Sequence, residues 1–402
     1  MKKVLITILE LILLGFACWL LFITLRVRIE TPAEKLPKAT PAPAPTETIV
    51  FEPTPAPAEA TPEPTPEPTP EPTPEVYTLS AVGDCTLWSN ANYENHPAGF
   101  AGMMGDDYSY PFANTVQYFE NDELTLANLE CILTDKHLTV DYTAATFAFQ
   151  APTAYANILI QGGVDFVTTA NNHLMDCYEA GRDSTYNALY EYGIPFGAEN
   201  DYNIITTKSG LKVGIYTAGT TMRPDAKTND ALAAIQQMRI EGAELVVCMF
   251  HWGNEMHYSQ FDYQTKLAHD CIDAGADIIY GSHSHCLQRV EEYNGGFIMY
   301  SLGNWSFGGS TMPKDPDTAI IQVSLERGDD GNLRYAGYDC IPCCVSSNIE
   351  GAANNIQNYN DYKPTPYEPD NPHYGRVMGI VTGEIEPDSY DPDYSGYYAS
   401  RG

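Results

Sequence analysis

The stretch Asp277-Ile278-Ile279-Tyr280-Gly281-Ser282-His283-Ser284-His285 (277–285) decides how this chain is read. It opens as a short apolar β-type run and breaks at Gly281 into a polar cluster that carries two imidazoles. Working outward, the same pattern recurs four times: Gly83-Asp84 after a run at 77–82, Asn128-Leu129-Glu130 after 124–127, Asn171-Asn172-His173 after 166–169, and His251-Trp252-Gly253 after 245–250. One such cluster is ordinary turn chemistry, because Gly, Asp and Asn end strands for conformational reasons. Five of them point to convergence, since in α/β sheets the carboxyl ends of the strands are where ligands bind.

Further strands are expected at 212–217, 297–301 and 319–325, with helices between strands at 111–120, 152–161, 181–192, 231–241 and 260–274. This alternation predicts an α/β fold. The 260–274 helix puts Phe261, Leu267, Ala268, Cys271 and Ile272 on one side, the mark of a helix laid on a sheet. After residue 325 the pattern changes to an antiparallel pair, 319–325 with 333–339, joined at Gly328-Asp329-Asp330-Gly331-Asn332. Beyond Asn354 the chain is rich in Asn, Asp, Pro and Tyr; a single strand is expected at 377–381 and a loosely ordered tail from Glu386.

Residues 4–25 are apolar apart from Glu10 and are flanked by Lys2, Lys3, Arg26 and Arg28. As a helix, 22 residues rise ~33 Å, enough for a ~30 Å hydrocarbon core. The apolar run passes Ala17-Cys18 without a clear small-residue cleavage site, which favours an uncleaved anchor over a signal peptide. Residues 39–75 are almost entirely Pro, Thr, Ala and Glu, with a Thr-Pro-Glu-Pro repeat. Such a segment buries no core and favours extended polyproline II, reaching on the order of 140 Å from residue 29 at ~3.1 Å per residue. The expected organisation is a transmembrane anchor (1–28), a disordered Pro-rich extracellular linker (29–76), a main domain (77–350) and a C-terminal extension (351–402). The expected placement is a single-pass cell-membrane protein whose C-terminal domain is extracellular.

Of 21 Lys and Arg and 53 Asp and Glu, 6 and 10 precede residue 76, so the remainder carries 15 against 43, a net −28. Nucleic acid is therefore not an expected partner, because phosphate-backbone binding needs a basic footprint. A polyanionic substrate would be repelled unless cations bridge it to the protein. Among the cysteines, Cys85, Cys131 and Cys286 each directly follow a motif residue and read as small apolar fillers beneath a site. Pairing among Cys340, Cys343 and Cys344 stays open.

Asp84, Glu130, Asn172, His251, His283 and His285 form an oxygen and imidazole donor set suited to hard or borderline divalent metals. One or two ions of Mn, Zn, Fe or Mg are expected, with Glu130 as candidate bridge; in two-metal hydrolases ions ~3.5–4 Å apart activate a water for in-line attack. His283 and His285, two apart on a strand, would point to opposite faces unless a tight turn after Gly281 redirects them. His173 is a candidate catalytic group, donating to charge on a substrate oxygen or protonating a leaving group, with Asp176 orienting it. Alternatively, Asn171 to His173 only cap a helix. Glu255 is either a partner that orients His251 or a solvated loop carboxylate. Ser301-Leu302-Gly303-Asn304 is expected to turn close to the site.

Taken in order, these motifs, with Asp176, Glu255, Gln288 and Ser301 to Asn304, resemble the CapA family of capsule-synthesis proteins over roughly residues 77 to 345. The resemblance implies a calcineurin-like metallophosphatase fold, a layered α/β/β/α sandwich, and a role in making poly-gamma-glutamate or a related capsule polymer. It further implies Asp84 and His285 at one metal, Asn172, His251 and His283 at the other, Glu130 between them and His173 towards substrate. Two departures stand out: Thr86 occupies the position where such enzymes place a histidine ligand, and Ser284 replaces the Pro common between the two histidines. Two functions follow as expectations. One is a metal-dependent phosphoesterase-like hydrolase acting on envelope polymer. The other is a non-enzymatic accessory of a capsule-synthesis complex that holds anionic polymer through bound cation.

Overall fold

The computed structural model describes residues 75–140, 147–219 and 224–388, with side chains described throughout except at 224–227. The expected anchor and nearly all of the linker lie outside the described residues. Among the described residues no helix is long and apolar enough to cross a membrane.

In chain order the elements are β1 (Val76–Thr86), α1 (Phe100–Met104), β2 (Leu124–Leu129), β3 (Ile132–Leu133), β4 (Gln150–Ala151), α2 (Ala156–Gln161), β5 (Phe166–Thr168), α3 (Tyr178–Glu191), β6 (Phe196–Gly197), β7 (Asp201–Thr206) and β8 (Lys212–Gly219). They continue with α4 (Pro224–Ile240), β9 (Leu245–His251), α5 (Asp262–Asp273), β10 (Ile278–Ser282), β11 (Val290–Tyr293), β12 (Gly296–Met299), β13 (Asn304–Phe307), β14 (Asp317–Arg327), β15 (Leu333–Cys344), α6 (Ile349–Ala353), β16 (Thr365–Pro366) and α7 (Pro372–Thr382). One sheet runs β16-β15-β14-β1-β2-β5-β6, with β13 added beside β1; the other runs β11-β12-β10-β9-β8-β7. The inner pairs β1–β2, β2–β5, β8–β9 and β9–β10 are parallel, so their carboxyl ends rise on one side.

The period-2 alternation of each strand assigns its side chains to layers. Leu245, Val247 and Met249 of β9 face a core shared with Leu79 and Ala81 of β1, Leu126 of β2 and Ile321 and Val323 of β14. Val246, Cys248 and Phe250 face the other way, against Ala231, Ile235 and Met238 of α4 and Leu267, Ala268, Cys271 and Ile272 of α5. On the far side of the first sheet, Val82, Ala127 and Val167 meet Ile158 and Leu159 of α2 and Ala188 and Leu189 of α3. The order of layers is therefore α/β/β/α, a mixed α/β sandwich.

Three expectations change. The 377–381 run is helical, not a strand: Asn371 caps α7 by accepting from the His373 amide, Pro372 takes the first turn, and Gly383 ends it at φ +77°. Its buried Val377, Ile380 and Val381 follow helical spacing and join the inter-sheet core. The helix expected at 111–120 is two 3-10 turns, Tyr110–Phe112 and Val116–Tyr118. The turn expected at 301–304 gives way after Gly303 (φ +69°) to β13, in which Asn304 pairs with Asp84. Residues after 350 pack back onto the sandwich, with β16 added to β15 and Tyr359 and Tyr367 in the shared core. The nine described cysteines are all free, including Cys340, Cys343 and Cys344.

Candidate metal centre

All five polar clusters meet at the carboxyl ends of the inner strands. β1 delivers Asp84, β2 delivers Asn128 and, one residue on, Glu130, while β9 ends on His251 and β10 on Ser282. Beyond Ser282 the backbone turns left-handed twice, at His283 (φ 97°) and His285 (φ 52°), with Ser284 between them. That turn resolves the difficulty of two histidines spaced two apart, for positive φ swings both rings out of the strand's alternation. One ligand atom from each of Glu130, His283 and His285 then lies within 4.8 Å of the others.

Hydrogen bonds fix the surrounding groups. Asn128 Nδ2 donates to Asp84 Oδ1 at 2.8 Å and approaches His251 Nδ1 at 3.3 Å. Because that amide nitrogen only donates, His251 Nδ1 is the acceptor and Nε2 carries the proton. Nε2 in turn donates to Asn172 Oδ1 at 2.7 Å and lies 3.4 Å from Glu130 Oε1. Ser282 Oγ sits 2.9 Å from His251 Nδ1. Asp84 Oδ2 accepts from the His283 amide at 3.3 Å and lies 3.4 Å from His285 Nδ1, which also meets Asn304 Oδ1 at 2.9 Å. Thr86, in the place of an expected ligand, donates its hydroxyl to Glu130 Oε2 at 3.4 Å.

Electrostatics sharpen the picture. Burial pushes the Glu130 carboxyl up, and the neighbouring Asp84 pushes it further. Burial and the nearby imidazoles hold His251 well below its usual range, while burial and His285 bring His283 down to about 3. For His285 burial works downward, but Glu130 and Asp84 outweigh it and raise the group. Glu130 Oε1 and His283 Nδ1 are among the buried side-chain atoms left without a hydrogen bond, as is Asp176 Oδ1 nearby. A buried carboxylate oxygen is costly to leave bare, and a cation beside Glu130 Oε1 would satisfy it. The donor set therefore fits a divalent metal, with Glu130, His283 and His285 as the core and His251, Asn172 and Asp84 around it.

His173 is 8 % exposed, and its Nδ1 lies 2.9 Å from Asp176 Oδ2. Burial works against its protonation, yet the Asp176 charge and hydrogen bond raise the group overall. The Phe149 ring packs against it with centroids 4.9 Å apart and planes tilted by 60°, and the Phe149 amide donates to the same Asp176 oxygen. The capping alternative does not hold, because α3 starts only at Tyr178 with Cys177 at its N-cap. Asn171 instead accepts from the His173 amide and donates to Asn128 Oδ1, tying two clusters together. Glu255 is half-buried and acts on the charges of Glu130 and His285, while the ring nitrogens of His251 are taken by Asn172, Asn128 and Ser282. Asn128, Asn171, Ser282 and Asn304 went unassigned in the sequence; their signal was position, since each lies within the motifs already singled out or at the turn expected nearby.

An α/β/β/α sandwich with a carboxylate and imidazole cluster at its strand ends defines a protein with a candidate metal centre. Residues 78–308 match the family described as bacterial capsule synthesis protein PGA_cap, and the chain belongs to that family. It is 29% identical over 278 residues to the capsule biosynthesis protein CapA of Bacillus anthracis, covering 62% of this chain and 64% of that protein. It is 42% identical over 192 residues to the PGA biosynthesis protein CapA of Bacillus subtilis (strain 168), covering 43% of this chain and 50% of that one. The matches thus span about half to two-thirds of those relatives. A putative 5'-nucleotidase from Staphylococcus aureus aligns with 67% of this chain and 54% of its own at 12% identity and a TM-score of 0.41, too weak a likeness to carry argument.

Proposed function

We propose that this chain is a membrane-tethered, cell-surface hydrolase of capsule-polymer synthesis, with a metallophosphatase-like centre acting on a phosphoester or related bond of an anionic polymer or its precursor. The observation that carries this reading is the convergence of Glu130, His283 and His285, one ligand atom of each lying within 4.8 Å of the others, around a Glu130 carboxylate whose Oε1 is buried without a hydrogen bond. A bound divalent cation would polarise a substrate oxygen there and lower the pKa of a water. The chain's own residues supply the rest. Asp176 holds His173 by Nδ1, so that Nε2 is the atom from which a proton passes to a leaving oxygen. Asn128 links Asp84 to His251, and Asn171 links Asn128 to the His173 turn, so the groups around the centre are set before substrate arrives.

Elemental analysis of the full chain, with turnover of a generic phosphodiester, tests this. The parent is expected to retain metal and turn over. Glu130→Gln loses metal, with affinity down about 100-fold. His173→Ala keeps its metal but loses roughly 10²–10⁴-fold in rate, the worth of a positioned general acid. Equal turnover by His173→Ala and parent would sink the assigned role.

A second reading, a non-enzymatic accessory of a synthesis complex that retains anionic polymer through bound cation, draws on Thr86. There a hydroxyl on Glu130 replaces an imidazole, and the oxygens of Asp84 are engaged by Asn128 and the His283 amide. Metal retention and polymer retention without turnover would favour it.

A further inference from the structure

Away from the centre, a cluster of buried charge lies where α7 meets the start of β14. Asp315 and Asp317 are 3 % and 1 % exposed. The Arg376 guanidinium grips Asp315 with both ends, Nη1 to Oδ1 at 3.1 Å and Nη2 to Oδ2 at 3.0 Å, and also donates to Asp317. Asp317 Oδ1 further accepts from Tyr367 at 2.7 Å and pairs with His373 Nδ1 at 2.8 Å. Asp315 Oδ2 accepts from the Tyr258 hydroxyl at 2.5 Å, and Arg376 lies 5.9 Å from that ring's centroid.

Tyr258 belongs to the loop between β9 and α5 that carries Glu255. The same loop is fastened to the histidine turn, because the Met256 amide donates to Ser284 O at 2.7 Å. Gln288 Nε2 donates to His257 O at 2.6 Å. Ser284 separates the two left-handed histidines, whose backbone lies beyond the β10 ladder and takes part of its support from the Met256 contact, beside the bonds of the His283 amide to Asp84 and of Asn304 to the His285 carbonyl. A second path leads from the same charge cluster: Thr318, next to Asp317, donates to Leu302 O at 2.8 Å, buttressing the turn that presents Asn304 to His285 Nδ1.

We infer that Arg376 is a positioning residue for the candidate metal centre, holding through Asp315, Asp317 and Tyr258 the loop and turn that aim His283 and His285. The physical reason is that two buried carboxylates repel unless a guanidinium lies between them, so removing it leaves their charges uncompensated and strains the bonds they keep to Tyr258, Tyr367 and His373. α7 lies beyond residue 308, where the family match ends, so the centre of this chain leans on an element outside that match. The metal part of this inference rests on the reading under Proposed function.

The test compares the full chain with Arg376→Met and with Tyr258→Phe, which removes one hydroxyl. Two quantities are measured: peptide-level hydrogen exchange in chelator, and the dissociation constant for Mn2+. Both variants are expected to exchange faster across 252–261 and 283–288, and to bind Mn2+ about tenfold more weakly, the usual effect of losing a support behind a ligand. Faster exchange confined to 372–382, with Mn2+ affinity within twofold of the parent, overturns the inference. Should Arg376→Met unfold, Tyr258→Phe decides alone. A parent that binds no Mn2+ sinks the metal reading instead, and the exchange data in chelator still decide whether Arg376 holds the histidine turn.

Discussion

His283 and His285 show how much a single backbone angle contributes. On an ideal strand their rings would diverge, and only the left-handed pair of φ values turns both towards Glu130. Spacing in the sequence named the candidate ligands but left the turn open, since positive φ at a non-glycine is set by tertiary packing. At the same scale, Asp122 answers to a different balance. Burial raises its carboxyl from 3.8 to about 6, against the hydrogen bond it accepts from Thr125 Oγ1 at 2.6 Å. A raised acid binds more protons folded than unfolded, so its contribution to stability falls as pH rises from about 4 to about 6 and stays lost above. Asp122→Asn keeps an acceptor for Thr125 without the charge. Urea titrations should therefore show the variant equal to the parent near pH 4 and more stable at pH 7.5, by about 2 kcal/mol once solvent screening is allowed for. A difference independent of pH would show that the carboxyl is not the cause.

Among the elements, the close approach of β1 to the turn before β13 is the most exacting. The Asp84 amide donates to Gly303 O at 2.9 Å, and a Cβ on Gly83 would come within 2.1 Å of that oxygen. Gly83→Ala must push the turn away from β1, and with it Asn304, so it should cost about 1–3 kcal/mol in urea unfolding. An unchanged midpoint would mean that the two segments separate freely. The central strands were legible because their apolar runs are long and bounded by turn residues; β7, β11, β13 and the two-residue β3, β4, β6 and β16 were not. β7 is a half-exposed edge strand without clean alternation, and the two-residue pairings are too short to have a period. α7 misled for another reason. Val377 to Val381 contains a β-branched run, and the cues that make it helical, Asn371, Pro372 and Gly383, lie outside it.

At the scale of the whole molecule, charge and site pull against each other. Residues 76–402 carry a net −28, and the polymer proposed as partner is itself an anion, so approach is opposed at long range while the centre offers the cation contact at short range. The two terms respond oppositely to two reagents. A chelator removes the short-range attraction and should abolish retention of poly-gamma-glutamate by the full chain, with excess Mn2+ restoring it. Monovalent salt shortens the screening length from ~30 Å at 0.01 M to ~8 Å at 0.15 M, weakening the repulsion far more than a contact inside a buried site. Retention in Mn2+ should therefore rise, or its on-rate increase, as NaCl goes from 10 to 150 mM, opposite to the salt response of a basic polyanion-binding protein. Retention that survives chelation, or that falls steeply over this salt range, would place the polymer on local basic groups and take the cation out of its recognition.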